Sequence, residues 1–258
     1  MTPAQIDAAA HALVEARRTG RKLASLPAEC RPADLAATYA IQDATVNALA
    51  RSGQEAVGGW KVGAPAPDAE PACAPLPAAG IMASPVVLKS ADYGLLGIEA
   101  EIGFKLGRDL PPRAAPYTRD DVLAAVASLH PVIELVDTRF ADMKAQDPLS
   151  LLADLQNHGG LIYGPARTHD LAIDQTRQAV VQSFDGKPVV ERTGGNSAGD
   201  VIRLLVWLAN HAAQRCGGLK AGQIVTSGSC TGMMRTTPGS LVRAEFPGLG
   251  AVEVRFTT

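Results

Sequence analysis

The hydrophobic and polar positions of the first fifty residues recur with a helical period. Residues 2–5 have the pattern of a helix start, in which Thr2 is the N-cap of a capping box. An apolar stripe follows, and Gly20 is placed to end the helix. A second stripe after Pro32 predicts another helix, which we expect to end at Gly53. The two stripes consist of Ile6, Ala9, Ala10, Leu13 and Val14, and then of Leu35, Tyr39, Gln42 and Val46.

Beyond these helices the pattern changes to short alternating runs that are typical of strands. Residues 56–63 are Gly-rich and β-like, whereas residues 64–79 contain five prolines. The proline-rich stretch predicts a loop or lid, because proline lacks the backbone donor that a central strand needs. Helices are predicted at 118–129 and at 197–215, the second capped by Ser197. Strands are predicted in residues 80–88, 97–107, 131–140, 222–229, 240–246 and 250–256.

This succession of a helical start and mainly strands afterwards predicts an α+β fold. Composition then excludes several classes of protein. A chain of 258 residues with 47% hydrophobic and 19% charged residues has the balance of a folded globular protein. A formal net charge of −2 without a basic block argues against nucleic-acid binding. No apolar run approaches the roughly 20 residues that span a bilayer, and the opening segment lacks the pattern of a signal peptide.

The four cysteines are scattered without a C-x-x-C pair, so we expect reduced thiols in a cytoplasmic protein. Aromatic residues make up only 4% of the chain, so the core must consist mainly of Ala, Val, Leu and Ile.

The segment from Leu96 to Phe104 contains the strongest candidate chemistry. Side chains alternate between the faces of a strand, so one face of this segment is apolar and Glu99 and Glu101 share the other. Gly97 and Gly103 flank the two acids on that face and leave room beside them. Adjacent carboxylates repel each other unless a cation, shared protons or water offsets their charge. A solvated face of an edge strand is the competing interpretation.

A third acid, Glu134, lies in a run so apolar that both faces of its strand are expected to be buried. A buried carboxylate needs a partner. Three glutamates around one site suit a hard divalent ion, Mg²⁺ or Mn²⁺. Arg139 or Arg235 would serve equally well as the partner of Glu134, and the spacing alone leaves both interpretations open.

Two further features are candidates for parts of a site. Lys61 lies in a Gly-rich strand and could stabilise an oxyanion, or could extend its ammonium to the surface. The small, hydroxyl-rich stretch around residues 226–232 could line a substrate pocket or form a plain turn. Its candidate substrate-binding residues are Ser227, Ser229 and Thr231.

Taken in order, four motifs resemble one enzyme group, the 2-keto-4-pentenoate hydratase and 4-oxalocrotonate decarboxylase branch of the fumarylacetoacetate hydrolase superfamily. The motifs are G-G-W-K-V-G, G-I-E-A-E-I-G-F-K-L-G-R-D-L-P, H-P-V-I-E-L-V-D-T-R-F and A-G-Q-I-V-T-S-G-S. The resemblance implies a mixed β-roll or partial-barrel core with a small helical N-terminal part. The change of pattern after the proline-rich loop divides the chain into a helical region with that loop at 1–79 and a catalytic β-roll domain at 80–258.

The resemblance also implies a divalent metal, Mg²⁺ or Mn²⁺, held by Glu99, Glu101 and Glu134, with Lys61 near the substrate. It implies a homo-oligomer that acts on a small 2-oxo acid. Two departures from the group matter. Its A-D-N-A-S stretch is replaced by residues 153–158, Ala-Asp-Leu-Gln-Asn-His, and the loop at 75–82 lacks an acid. Asp154 and His158 are therefore the candidates for proton transfer, beside Lys61.

The function implied by the resemblance is that of a lyase for 2-oxo or 2-hydroxydienoate acids. Its leading form is hydration of 2-hydroxypenta-2,4-dienoate to a 4-hydroxy-2-oxo acid, as in the catabolism of aromatic compounds. Three alternatives remain open: decarboxylation of a 2-oxo-enedioate of the 4-oxalocrotonate type, C–C hydrolysis of an acylpyruvate, and a degenerate relative that binds a 2-oxo acid without turnover.

Overall fold

The computed structural model describes residues 1–50, 56–169, 171 and 173–258. Within them lie two mixed β-sheets and a small set of helices. The helices are α1 (Pro3–Thr19), α2 (Leu35–Leu49), α3 (Arg119–Leu123), α4 (Pro148–Ala153) and α5 (Val201–Arg215). The strands are β1 (Val57–Gly63), β2 (Ala72–Pro77), β3 (Ile81–Ala83), β4 (Val86–Lys89), β5 (Gly97–Leu106), β6 (Val126–Val136), β7 (His158–Tyr163), β8 (Ala179–Phe184), β9 (Lys187–Thr193), β10 (Ile224–Thr226), β11 (Met234–Arg235), β12 (Leu241–Phe246) and β13 (Gly250–Thr257).

The larger sheet has the strand order β2-β1-β10-β5-β6-β7-β3, and β11 pairs with β5 outside this path. The second sheet has the order β4-β13-β12-β8-β9. Parallel pairs (β1 with β10, β3 with β7) occur among antiparallel ones, and neither sheet closes into a barrel. The predicted α+β fold with an open β-roll core is therefore confirmed. The larger sheet takes strands from both sides of residue 80, so its hydrogen bonding crosses the predicted division at 79/80.

The N-terminal helices follow local sequence signals closely. Thr2 caps α1 in a complete capping box with Gln5, and Gly20 ends the helix in the left-handed conformation with φ 70°. Asp34 caps α2, and the helix ends at Leu49. The predicted stop at Gly53 lies outside the described residues.

Three predicted elements are corrected by tertiary pairing. Residues 72–77 of the proline-rich stretch form β2, an edge strand on which proline is tolerated because only one side needs donors. The helix predicted at 118–129 ends at Leu123, because the chain from Val126 onward pairs with β5. The last long helix starts at Val201 and is capped by Asp200. Ser197 instead donates its hydroxyl to the Ala64 carbonyl at 2.7 Å.

The main core lies between the two sheets and α5. The apolar face of β5 that the alternation predicts is fully buried there. Helix α5 adds the apolar residues predicted for it, Val201, Leu204, Leu205 and Leu208. A second, smaller cluster joins α1 and α2 to Phe140 and Ala153. The opposite face of the larger sheet therefore remains for the acidic side chains.

Among the described residues, no helix is both long enough and apolar enough to cross a membrane. The cysteines Cys30, Cys73, Cys216 and Cys230 are all free thiols.

Candidate metal centre

The antiparallel pairing of β5 with β6 brings the three predicted glutamates together. In this register Glu99 lies directly opposite Glu134, and Glu101 lies two residues further along the same face. One carboxylate oxygen from each side chain lies within 4.8 Å of the others. We refer to these three residues as the carboxylate cluster. Strand pairing thus creates a site that the separate motifs could only suggest.

Burial decides between the interpretations of these acids. Strand β5 lies inside the sheet, and Glu101 and Glu134 are each only 1% exposed, so a solvated edge is excluded. Arg139, one of the alternative partners for Glu134, forms an ion pair with Asp154 at 3.1 Å. The room predicted beside the acids at Gly103 is filled, since a Cβ there would lie 2.9 Å from both Ile224 and Val132.

Lys61 reaches the carboxylate cluster from β1, which joins the sheet through β10. Its ammonium donates to Glu134 Oε1 at 2.5 Å and to the Gln156 carbonyl at 3.2 Å. Burial opposes the charge on Lys61, but Glu134, Glu99 and Glu101 outweigh it and raise the pKa above the ordinary value. Lys61 is therefore a fixed cation of the site and does not extend to the surface.

His158 is the second partner of Glu134. Its Nδ1 lies 3.1 Å from Glu134 Oε1, and the ring is 1% exposed. Burial lowers the pKa of His158 to about 4, against the hydrogen bond to Glu134, so the ring is neutral at pH 7. A carboxylate only accepts, so Nδ1 carries the proton and Nε2 is left with a lone pair. Nε2 is buried without a hydrogen-bond partner among the described residues, and it faces Gly80, where a Cβ would lie 3.8 Å away.

The protonation of the cluster is uneven. Burial and then the charges of Glu134 and Glu99 raise the pKa of Glu101 to about 8. Burial, and next Glu134, also raise the pKa of Glu99. Burial opposes the charge on Glu134 too, but Lys61 and His158 overcome it and lower its pKa. Burial and the charge of Glu134 thus oppose the ionisation of the other two acids.

The donor set fits a divalent cation. Glu134 Oε2 is buried and has no hydrogen-bond partner among the described residues, although such an atom costs free energy when left unpaired. Three carboxylates suit the oxygen preference of Mg²⁺ and Mn²⁺, which commonly keep water or substrate in their remaining positions.

The predicted substrate-binding residues divide into two kinds. The Ser229 hydroxyl hydrogen-bonds Glu99, and the neighbouring backbone N–H of Gly228 donates to Glu101 Oε2 at 3.1 Å. Ser227 and Thr231 are instead engaged with the β5 backbone: Ser227 donates to the Ile102 carbonyl at 3.5 Å, and Thr231 accepts from the Ala100 N–H at 3.0 Å. Of the three, Ser229 is the one that contacts the carboxylate cluster.

The structure does not bring Asp154 to the carboxylate cluster. Its oxygens accept from the backbone N–H of Arg139 at 2.8 Å and from the hydroxyl of Thr138 at 3.3 Å, in addition to the ion pair with Arg139. These contacts join Asp154 to the buried residues Thr138 and Arg139, which follow β6 in the chain. A proton-transfer role for Asp154 is therefore supported by none of its contacts.

The segment whose backbone contacts Lys61 has a conformation that its sequence does not indicate. Leu155, Gln156 and Asn157 have φ values of 50°, 52° and 58°, three successive non-glycine residues in the left-handed region. The sequence marks this segment only as the place where the chain departs from the A-D-N-A-S stretch. Only the backbone geometry shows that the departure forms a turn, which we call the left-handed turn.

Comparisons with known proteins point to one group of relatives. The family model described as fumarylacetoacetate (FAA) hydrolase, C-terminal, matches residues 45–257. The 2-keto-4-pentenoate hydratase of Paraburkholderia xenovorans (strain LB400) is 28% identical over 263 residues, covering 99% of this chain and 96% of that protein. A 4-oxalocrotonate decarboxylase of Pseudomonas sp is 33% identical over 160 residues, 62% of this chain and 60% of that enzyme, which is less than two thirds of either.

A solved structure shares the whole fold. It is the 4-oxalocrotonate decarboxylase from Pseudomonas putida G7, complexed with magnesium and adipate, which superposes with a TM-score of 0.87 at 23% identity. The superposition covers 99% of this chain and 98% of that one.

Proposed function

The chain belongs to the fumarylacetoacetate hydrolase family, and from that premise we propose that it is a metal-dependent lyase that hydrates 2-hydroxypenta-2,4-dienoate-type acids to 4-hydroxy-2-oxo acids. The observation that carries the proposal is the carboxylate cluster, with its unpartnered Glu134 Oε2 beside Lys61 and His158. The alignment with a 2-keto-4-pentenoate hydratase over 99% of the chain supports hydration as the reaction.

In this proposal Glu99, Glu101 and Glu134 hold a divalent ion, Mg²⁺ or Mn²⁺. Such an ion supplies positive charge for the carboxylate and the 2-oxygen of a 2-oxo acid. Glu134 is kept ionised for this role by Lys61 and His158. Gly228 and Ser229 orient the other two acids through their hydrogen bonds.

Lys61 adds a second positive charge, fixed in a buried place. Its ammonium is held between Glu134 and the Gln156 carbonyl, so it needs no reorganisation when negative charge develops on the substrate's 2-oxygen. Its proposed role is electrostatic stabilisation of that charge.

His158 is the proposed proton-transfer group. Its free Nε2 faces Gly80, in the segment at 75–82 where the resembling hydratases carry an acid and this chain has none. A neutral imidazole with a lone pair at this position can take up a proton and return it. The two proton movements of the reaction are the transfer from the 2-hydroxyl to C5, and the addition of water with its oxygen at C4 and its proton at C3.

Decarboxylation of a 2-oxo-enedioate is the second candidate. The 33% identity with a 4-oxalocrotonate decarboxylase favours it, and the same charges would stabilise the enolate left when CO₂ departs.

A single experiment compares the reactions. Protein with Mg²⁺ is incubated with freshly prepared 2-hydroxypenta-2,4-dienoate, with 4-oxalocrotonate and with an acylpyruvate. We expect loss of dienoate absorbance with formation of 4-hydroxy-2-oxopentanoate.

Unchanged dienoate overturns the hydratase proposal. Release of CO₂ from 4-oxalocrotonate would then establish the decarboxylase, and cleavage of the acylpyruvate would establish the C–C hydrolase. Absence of turnover on all three, with the metal bound, would leave a 2-oxo acid binder.

The metal site has its own test. We expect Glu101→Ala to abolish Mn²⁺ binding in titration calorimetry, because the ion loses one of three charged ligands. Glu29→Ala is the matched control, since Glu29 is an exposed acid of the N-terminal region. Equal Mn²⁺ affinity in Glu101→Ala and Glu29→Ala would show that the carboxylate cluster is not the metal site.

A cytoplasmic location and a homo-oligomeric state complete the proposal. The four free thiols support the reducing compartment. Light scattering of the purified protein tests the second part: a mass near 26.8 kDa would show a monomer and contradict it.

A further inference from the structure

The left-handed turn needs external support, because its backbone conformation is unfavourable for side chains other than glycine. Within the turn, the Asn157 N–H donates to the Asp154 carbonyl at 2.9 Å, and the Asn157 carbonyl accepts from the Asp137 N–H at 2.8 Å. The Gln156 carbonyl points away from the turn and accepts a hydrogen bond from Lys61. The turn thus sets the place of both Lys61 and the His158 ring that follows it.

Two guanidinium groups converge on the end of this turn. The His158 carbonyl accepts from Arg17 Nη2 at 2.7 Å and from Arg139 Nη2 at 3.3 Å. Arg139 lies near the turn in the chain and forms an ion pair with Asp154, the residue just before the turn. Arg17 comes from the last turn of α1, 141 residues away in the chain. It lies outside residues 45–257, the part that matches the family model.

The helix that carries Arg17 is anchored beside the turn. Ala9 and Leu13 of α1 pack in one cluster with Phe140 and Ala153, which adjoin Arg139 and the turn in the chain. The shorter of the two hydrogen bonds to the His158 carbonyl therefore comes from a helix that packs beside the turn.

We propose that Arg17 is a positioning residue of the active site. By binding the His158 carbonyl it holds the left-handed turn, and so keeps the His158 Nδ1–H on Glu134 and the Gln156 carbonyl on Lys61. The helical N-terminal region then contributes to catalysis without contacting substrate. Only the turnover readout of this proposal rests on the proposed function.

Arg18 provides a matched control for Arg17. It lies next to Arg17 on α1 and also donates to a backbone carbonyl, that of Ala48 at 3.3 Å, with a further ion pair to Glu15. The hydrogen bond joins α1 to α2, the ion pair lies within α1, and neither reaches the left-handed turn. A loss that comes only from looser attachment of α1 should therefore appear in both Arg17→Ala and Arg18→Ala.

The decisive measurement is ¹⁵N NMR of the histidine rings, with and without Mg²⁺. His158 is assigned by its absence in His158→Asn. We expect a single tautomer with Nδ1 protonated in the wild type and in Arg18→Ala, and a mixture of tautomers in Arg17→Ala. An unchanged His158 signal in Arg17→Ala overturns the proposal. If Arg17→Ala does not fold, Arg17→Met keeps the packing of the stem and is judged by the same signal.

Turnover provides the second readout. We expect kcat of Arg17→Ala to fall about tenfold or more with little change in KM, because the proton-transfer group is displaced while the carboxylate cluster remains. Equal kcat in Arg17→Ala and Arg18→Ala contradicts the proposal. If the wild type turns over none of the proposed substrates, the proposed function fails and the NMR signal still decides the role of Arg17.

Discussion

Glu134 has two contacts, with Lys61 and His158, that separate its protonation from that of the other two acids. Lys61 and His158 both bind its Oε1, so Glu134 is the acid that ionises first. Glu101 accepts the Gly228 N–H, but burial and the charges of Glu134 and Glu99 outweigh Lys61 and Thr226 and raise its pKa to about 8. In the metal-free protein the cluster therefore retains protons that an unfolded chain would release.

Because the cluster retains these protons, the free energy of unfolding of the metal-free protein is predicted to depend on pH. The ordinary pKa of Glu101 is 4.5, and burial with the charges of Glu134 and Glu99 raises it to about 8. Between these values the folded state binds more protons than the unfolded state, so the free energy of unfolding falls as pH rises. We expect Glu101→Gln to flatten this fall between pH 5 and 8 in thermal denaturation with chelator.

Glu29→Gln serves as the control for that series and should follow the wild type. Parallel melting-temperature profiles for Glu101→Gln and the wild type would contradict the raised pKa of Glu101.

At the scale of elements, the site depends on how closely β1 and β10 approach. Lys61 pairs with Thr226 in this parallel contact, and Gly59 pairs with Ile224 two residues before it. A Cβ at Gly59 would lie 2.3 Å from the Ile224 backbone oxygen, a distance that forces the strands apart. The absence of a side chain at Gly59 thus sets the position from which Lys61 reaches Glu134.

Gly59→Ala is accordingly expected to lower the free energy of unfolding by about 1–3 kcal/mol, as overpacking does, and to reduce turnover by moving Lys61. Gly63→Ala on the same strand is the control, because a Cβ there meets nothing within 4 Å. Urea denaturation measures both variants. Similar stabilities for the two would show that the β1–β10 approach tolerates a side chain.

At the scale of the whole molecule, the carboxylate cluster lies between elements that are distant in sequence. Strands β5 and β6 carry its three acids, Lys61 of β1 and His158 of β7 bind Glu134, and Gly228 just after β10 donates to Glu101. A ligand that binds the cluster therefore stabilises only the folded arrangement, since an unfolded chain does not assemble these groups.

We therefore expect Mn²⁺ at about 100 times its Kd to raise the free energy of unfolding by about 2.7 kcal/mol. Glu101→Ala should lose this increase. Denaturation at several Mn²⁺ concentrations measures this increase, and protein treated with chelator, without added Mn²⁺, provides the baseline. A melting temperature of the wild type that does not depend on Mn²⁺ would contradict specific binding to the folded state.

Local patterns predicted much of this molecule correctly. The capping box at Thr2, the apolar face of β5 and the shared face of Glu99 and Glu101 depend on residues a few positions apart, and all appear in the structure. The errors fall where a distant strand overrides local preference. Residues from Val126 onward pair with β5 instead of extending a helix, and the proline-rich stretch supplies an edge strand.

The sequence by itself determined the α+β class and named the three acids and Lys61 as candidates, because strand alternation and motif spacing are local properties. Only the tertiary structure decided that Glu99 faces Glu134, that His158 rather than Asp154 contacts the cluster, and that Arg17 donates to the His158 carbonyl. These relations depend on register and on backbone conformation across long separations. The physical reason is that contact between distant segments is set by packing of the whole chain, which no local pattern contains.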